Sequence, residues 1–321
     1  MLTIKQIYNL AIELGIKNDL RGSKVVKDKL ARLKAKYQKF HEEQKQEFDL
    51  EKLINPFSDT RYFGNPEKKV KRVLVGIDIG TGEIMLAREL SKTKLIDLVI
   101  AHHPLGPALA GLDEVMSLQV EVLAKYGVPI NIAENLTQIK MSEVSRRLSP
   151  INHMQSIDAA KLLGIELMCL HTPCDNLVTS YLDKEIKKEK VKLVYVEDLL
   201  KLLKKIPEYQ QAIKLKAGPR LFTGKPEHYL GKIALTETTG GTSGHKDIYQ
   251  HLAQVGIGTI VAMHMKEENR EEAEKAHLNI VIAGHMASDS IGMNLFLDEL
   301  VRRGIEVVPC SGLIRYSRIR K

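Results

Sequence analysis

The sequence predicts an α/β fold made of two similar, duplicated lobes, with a helical extension near the N-terminus. Three observations carry this expectation. Short apolar runs rich in Val and Ile, bounded by glycine, alternate with segments of helical periodicity. The order strand, glycine turn, helix, strand recurs after roughly 150 residues, a period too long for a solenoid. The 321 residues, with 44% hydrophobic and 27% charged side chains, suit one large or two ordinary globular domains and exclude wholesale disorder.

Residues 3–16 predict an amphipathic helix, because Ile4, Ile7, Leu10, Ala11 and Leu14 fall at helical spacing. Residues 24–48 predict a second helix whose stripe is Val26, Leu30, Leu33, Tyr37 and Phe40. Turn signals follow at Asn55-Pro56-Phe57-Ser58-Asp59 and Gly64-Asn65-Pro66. Residues 70–79 (VKRVLVGIDI) then predict a buried strand, 80–82 a turn, 83–90 a helix and 95–101 (LIDLVIA) a second strand. A third strand is expected over 127–133 (GVPINIA). Residues 135–165 have no counterpart later in the chain and are expected to form a helical insertion around Pro150.

Residues 184–218 are expected to be helix and linker. The order then returns: a strand at 231–235 (GKIAL), a glycine turn at 239–244 (TGGTSG), a helix at 245–255, and strands at 257–262 (IGTIVA) and 277–283 (HLNIVIA). The expected division is a first lobe over 1–183, carrying the extension 24–50 and the insertion 135–165. Linker and second lobe fill 184–321. Strands alternating with helices imply largely parallel sheets covered by helices, with ligands at the carboxyl ends of the strands.

Charge and composition narrow the function classes. The net charge of +8 is uneven, since residues 1–72 hold 17 Lys and Arg against 10 Asp and Glu. The remainder is close to neutral. A basic segment of this kind is most simply a solvated helix face, with an acidic partner or nucleic acid as the alternative contact. No apolar run is long enough to span a bilayer, so no membrane partner is expected. The first 20 residues mix both charge signs and lack the apolar core of a secretory signal. Cys169, Cys174 and Cys310 are odd in number and contain no C-x-x-C, which argues against a disulfide scaffold or zinc ribbon. A cytoplasmic protein is expected.

Chemistry concentrates in three clusters, each just after an apolar strand-like run. They are His102-His103-Pro104, His171-Thr172-Pro173-Cys174-Asp175-Asn176 and Gly284-His285-Met286-Ala287-Ser288-Asp289. Side chains alternate along a strand, so His102 and His103 can share a site only where the ladder ends, and Pro104 ends it. His285 and Asp289 lie one helical turn apart and can face one point. A carboxylate such as Asp175 has two oxygens and can bridge two cations. Imidazole and carboxylate together suit Zn, Fe, Mn, Ni or Co without choosing among them.

In this order, strand-HHP, strand-HTxxD, glycine turn, helix and strand-GHxxx-acid, the chain resembles the NIF-three-like family, also known as GTP cyclohydrolase I type 2 homologues. The likeness runs from about residue 55 to the C-terminus and includes the first helix. It implies two α/β lobes with a dinuclear metal cleft between them and a ring-shaped homohexamer. By resemblance His102, His103, Asp175, His285 and Asp289 hold two divalent metal ions, and His171 sits behind them. The family usually has glutamate where this chain has Asp289. It also usually has a glutamate and paired histidines where this chain keeps only Met263-His264-Met265-Lys266-Glu267.

The expected function is a metal-dependent hydrolase of a phosphoester, nucleotide or cyclic-amide small molecule. Asp175 and Asp289 are the bridging candidates, and His171 or Glu237 the proton carrier. The alternative is a metal-binding interaction protein without turnover, which would use its basic helix as the contact surface. Three further features of the sequence have chemical readings. Gly76-Ile77-Asp78-Ile79-Gly80-Thr81-Gly82 is similar to the phosphate loop of actin-like ATPases, but a helix rather than a hairpin is expected after it. The 239–244 turn is a candidate anion site. Cys174 is a candidate soft ligand, with packing as its simpler role.

Overall fold

Two sheets, each with a parallel centre and one antiparallel edge, frame the protein. The computed structural model describes residues 1–319. The strands of these two sheets are β1 (Thr60–Phe63), β2 (Arg72–Gly76), β3 (Leu98–Ala101), β4 (Leu167–Leu170), β5 (Arg220–Thr223), β6 (Lys232–Glu237), β7 (Ile257–Ala262), β8 (Asn279–Ile282) and β9 (Glu306–Pro309), and Leu2–Thr3 pairs separately with Lys69–Val70. The first sheet has the order β9-β2-β3-β4-β1 and the second β5-β8-β7-β6. In each, three successive strands run parallel, and the strand preceding them in the chain pairs antiparallel with the third. The duplication is therefore real at the level of topology. Every residue of β3, β4 and β8 is buried, as befits strands covered by helices on both faces.

Three expectations change. Residues 127–133 form no strand. Gly127 closes the helix Leu118–Tyr126 with φ +111°, and Pro129 opens the long helix Ile130–Leu148. Alternation over five residues is weak, whereas Ala133, Thr137, Lys140, Val144 and Leu148 are buried at helical spacing and decide the outcome. The counterpart of β8 is β4, and the stretch between β3 and β4 is helical. The expected helix over 24–48 breaks into Ser23–Tyr37 and Glu42–Glu47, and its apolar stripe folds back as a cluster of Tyr37, Phe40 and Phe48. Finally, β9 pairs with β2, so the end of the expected second-lobe segment returns to the first sheet.

The first helix, Ile4–Lys17, is opened by a capping box between Thr3 and Gln6, and buries Ile4, Ile7, Tyr8 and Ala11 in the core of the first lobe. The helices Thr172–Glu189 and His285–Arg302 follow β4 and β8 and pack on each other where the lobes meet. Gly292 makes the approach possible: a Cβ there would lie 2.2 Å from the Cys174 carbonyl oxygen. The helix from His285 contributes Met293, Phe296 and Leu297 to the first core and Ala287 and Ile291 to the second. No helix of the described residues is long and apolar enough to cross a membrane.

Candidate metal centre

Strand ends bring the three clusters together. His102 and His103 follow β3, and their N–H groups donate to the carbonyls of Gly76 and Ile77, both at 3.0 Å. Two consecutive donors onto one neighbouring strand break the regular alternation of a parallel ladder, so both rings turn to one side. His171 caps the helix Thr172–Glu189, with Pro173 in its first turn, and Asp175 stands in that same turn. His285 begins the equivalent helix of the second lobe. Gly284 has φ +107°, and a Cβ there would meet the Ala217 carbonyl oxygen at 2.6 Å, so glycine is required at this corner. Asp289 lies one turn on.

The six side chains converge. Ligand atoms of His102, Asp175 and Asp289 lie within 4.8 Å of one another, and so do those of His103, His285 and Asp289. Asp289 divides its two oxygens: Oδ1 is 3.6 Å from His102 Nε2, and Oδ2 is 3.6 Å from His103 Nε2 and 3.5 Å from His285 Nε2. Asp175 Oδ1 stands 3.4 Å from His102 Nε2. His171, expected behind the ligands, has its own donor atom within 4.8 Å of those of His102 and His103. Cys174 belongs to none of these groups and packs in the first core, as its simpler reading implies.

Partners of the imidazoles point their free nitrogens inward. Nδ1 of His102 meets the Leu170 carbonyl at 3.1 Å, Nδ1 of His103 meets Asp78 Oδ1 at 2.6 Å, and Nδ1 of His171 meets Asp59 Oδ2 at 2.8 Å. Each acceptor favours the tautomer with its proton on Nδ1 and a lone pair on Nε2, the form that binds metal. Thr172 Oγ1 also donates to Asp59 at 2.6 Å. From the sequence Asp59 is only part of a turn and Asp78 only part of a phosphate-loop likeness, neither a partner of a histidine. They lie in a turn and at a strand end, and only tertiary structure shows what they touch. His264 is likewise part of the wall, its ring centroid 4.7 Å from that of His285.

Electrostatics supply the test of fit. His102 Nε2, Asp175 Oδ1 and both oxygens of Asp289 are buried and have no hydrogen-bond partner among the described residues. Orphaned buried carboxylate oxygens cost several kcal/mol unless a positive partner meets them. Burial opposes charge on His102, but the neighbouring Asp289 carboxylate outweighs it and holds the imidazole well above its ordinary value. Burial would also raise Asp289, yet the charge of His102 holds its carboxyl far below the carboxylate range. Burial dominates at His285 and takes it down to about 4, against the pull of Asp289. The carboxylates therefore draw positive charge into the cluster, and its donor set fits divalent cations.

The opposite wall is the second lobe's own. Glu237, Thr238, Thr239, Thr242, Ser243 and His264 line a cavity together with His171, Asp175, His285 and Asp289. Gly240 and Gly241 take φ of +87° and +90° in the turn. The helix after it begins only at Ile248, so the turn does not abut a helix N-terminus as expected. In the first lobe the helix Thr81–Leu90 starts directly after Gly80, and Asp78 serves His103, an arrangement unlike the ATPase phosphate loop.

Among solved structures, a NIF3 superfamily protein from Sphaerobacter thermophilus is 30% identical over 80% of this chain and 92% of its own, with a TM-score of 0.71. The chain belongs to the NIF3 superfamily. Also similar, at lower levels, are reduced HcgD from Methanocaldococcus jannaschii (14% identity, 78% of this chain and 87% of that one, TM-score 0.48) and a Bacillus cereus protein related to NIF3 (12%, 82% and 92%, TM-score 0.39). A scan against models of known families finds no match, and a search of curated proteins finds none. Membership of the NIF3 superfamily agrees with the resemblance carried by the HHP, HTxxD and GHxxx-acid motifs, and with the two-lobed α/β fold.

Proposed function

We propose that the chain is a dinuclear metal-dependent hydrolase acting on a small phosphoester, nucleotide or cyclic amide. The observation that supports it most is Asp289, a buried carboxylate with both oxygens unpartnered, one toward His102 and one toward His103 and His285. In this reading His102, Asp175 and Asp289 would hold one cation, and His103, His285 and Asp289 the other. Asp289 would then contribute to both positions, and Asp175 to one. When bound, two divalent cations supply Lewis acidity toward a phosphoryl or carbonyl oxygen and lower the pKa of water. Asp59 and Asp78 orient the imidazoles, and the hydroxyl-rich wall from Thr238 to Ser243 receives the polar part of the substrate. His171 and Glu237 are the residues placed to hold or move a proton beside it. A homo-oligomer, hexameric by resemblance, and a cytoplasmic location complete the reading. All three cysteines are free, which suits a reducing compartment.

Elemental analysis of protein purified without chelator tests the reading, with Asp289→Asn as the near-isosteric control. About two metals per chain are expected in the wild type, and fewer than one in the variant. No stoichiometric metal after dialysis against Mn, Fe, Co, Ni and Zn would overturn it.

A further inference from the structure

Glu237 closes β6 and is held from behind by a buried chain of hydrogen bonds. Asn269 donates to the Gly244 carbonyl at 3.2 Å, and a carbonyl can only accept, so the amide nitrogen of Asn269 is the group that faces it. The same nitrogen donates to Tyr249 Oη at 3.0 Å. Tyr249 has a single proton to give, and it goes to Glu237 Oε1. The direction of the whole chain is thereby set. With Oε1 receiving a hydrogen, any proton that Glu237 carries must sit on Oε2. That oxygen is buried, has no partner among the described residues, and belongs to a residue that lines both the candidate metal cavity and the neighbouring cavity beside Lys140. Ser243 Oγ on the same wall is also buried and unpartnered.

We infer that Tyr249 and Asn269 are positioning residues that confine the exchangeable proton of Glu237 to Oε2, making Glu237, and not His171, the group that trades a proton with substrate. This rests on the hydrolase reading and decides between its two proton carriers. His171 is the less available of the two, because a bound cation would compete for its lone pair. Its Nδ1 is taken by Asp59, and its remaining nitrogen stands among the donors of His102 and His103. In the transfer, the Oε2–H bond breaks with its electron pair left on Oε2, and the proton joins the leaving atom as the bond from that atom to phosphorus or carbon breaks and a water oxygen takes its place. Tyr249 donates to the resulting carboxylate at Oε1, and the unpartnered Ser243 hydroxyl is a nearby group that favours its charge.

The surroundings are compatible with a proton held near neutrality. Burial pushes the carboxyl up to about 7, against the Tyr249 and Ser243 hydroxyls and the more distant Lys140 charge. Lys140 Nζ lies 2.9 and 2.8 Å from the two Glu143 oxygens, so its charge is already answered. His245 borders Glu237 on the Lys140 side. Across the cavity stand His171, Asp175, His264, His285 and Asp289.

Infrared difference spectroscopy of the full chain, titrated with pH in H2O and D2O, tests the assignment without a substrate. The wild type is expected to show a protonated-carboxyl C=O stretch that shifts in D2O, titrates away with a midpoint about 7, and is lost in Glu237→Gln. In Tyr249→Phe a hydrogen bond that favours the carboxylate is gone, so the midpoint should rise by about one pH unit. Ser243→Ala, a smaller perturbation, should move it in the same direction. Metal content separates the two carriers: with its donor atom beside those of His102 and His103, His171→Gln should bind less metal than the wild type, and Glu237→Gln the same amount. A spectrum unchanged in Glu237→Gln, or a midpoint unmoved in both Tyr249→Phe and Ser243→Ala, would overturn the inference. Wild-type protein without metal would overturn the hydrolase reading instead, leaving the infrared result to decide the position of the proton.

Discussion

A carboxylate behind an imidazole fixes which nitrogen is free, and His103 shows how far this can be tested. Asp78 is its partner at Nδ1 and is itself two-thirds exposed, so the pair is set at the rim of the centre. Asp78→Ala should weaken metal binding by about tenfold, the lower end for such partners, since solvent partly replaces the lost acceptor. Competition with a chromophoric chelator measures it, and unchanged affinity would mean that His103 is oriented by packing alone. Glu237 yields a prediction with a definite sign. Its native carboxyl titrates at about 7 against an ordinary 4.5. Between those values the native state binds more protons than the unfolded one, so stability falls as pH rises, and the loss is complete above 7. Metal-free Glu237→Gln lacks this slope. Its stability relative to wild type should grow by roughly 3 kcal/mol between pH 4 and pH 8; urea unfolding at the two pH values checks this. The six clustered residues were legible in the sequence because each follows an apolar run at a strand end. Asp59 was not, since it meets His171 only across 112 positions of chain.

Elements carry the site through two helices that begin at its ligands. The pair Thr172–Glu189 and His285–Arg302 sets Asp175 and Asp289 at their mutual distance, and Gly292 sets the approach of the pair. Gly292→Ala forces a Cβ against a backbone carbonyl that cannot move aside cheaply. A loss of about 1–3 kcal/mol is expected, together with lower metal content, because the two carboxylates ride on the displaced helices. Gly82→Ala is the control: nothing lies within 4 Å of a Cβ there, and it sits in the first turn of the helix Thr81–Leu90. It should stabilise by about 0.5–1 kcal/mol. Thermal unfolding of both variants decides the matter, and equal shifts would show that close helix packing is unimportant. At this scale the sequence was readable where periodicity ran long and ambiguous where it ran short. Residues 127–133 alternate like a strand for five positions, but the helical stripe beyond them governs. The stripe over 24–48 was correctly apolar, yet a chain reversal after Tyr37 closes it into an aromatic cluster instead of one helix.

The whole molecule is fastened by a chain end that no local pattern announces. After β6, β7 and β8 complete the second sheet, the chain returns to pair β9 with β2 of the first. It then crosses back: Arg318 forms a bidentate pair with Glu208, at 2.6 and 2.8 Å, on the helix Pro207–Lys214 of the second core. Glu208 is fully buried, and Asn294 of the interlobe helix donates to the same Oε1 at 2.8 Å. Arg315 pairs with Asp298 on that helix as well. The tail thus ties both lobes to the helix whose first turn carries His285 and Asp289. Breaking a buried pair leaves an uncompensated charge and costs far more than the pair contributes when intact. Arg318→Ala should therefore destabilise by about 3 kcal/mol, with Glu208 left to Asn294 alone. Glu208→Gln combined with Arg318→Ala removes the stranded charge and should recover much of the loss. A double-mutant cycle by urea unfolding reads the coupling directly. If the double variant is as unstable as the sum of the two single ones, the ion pair is not what holds the tail. The packing of Arg318 between the rings of Tyr181 and Tyr316 must then do so.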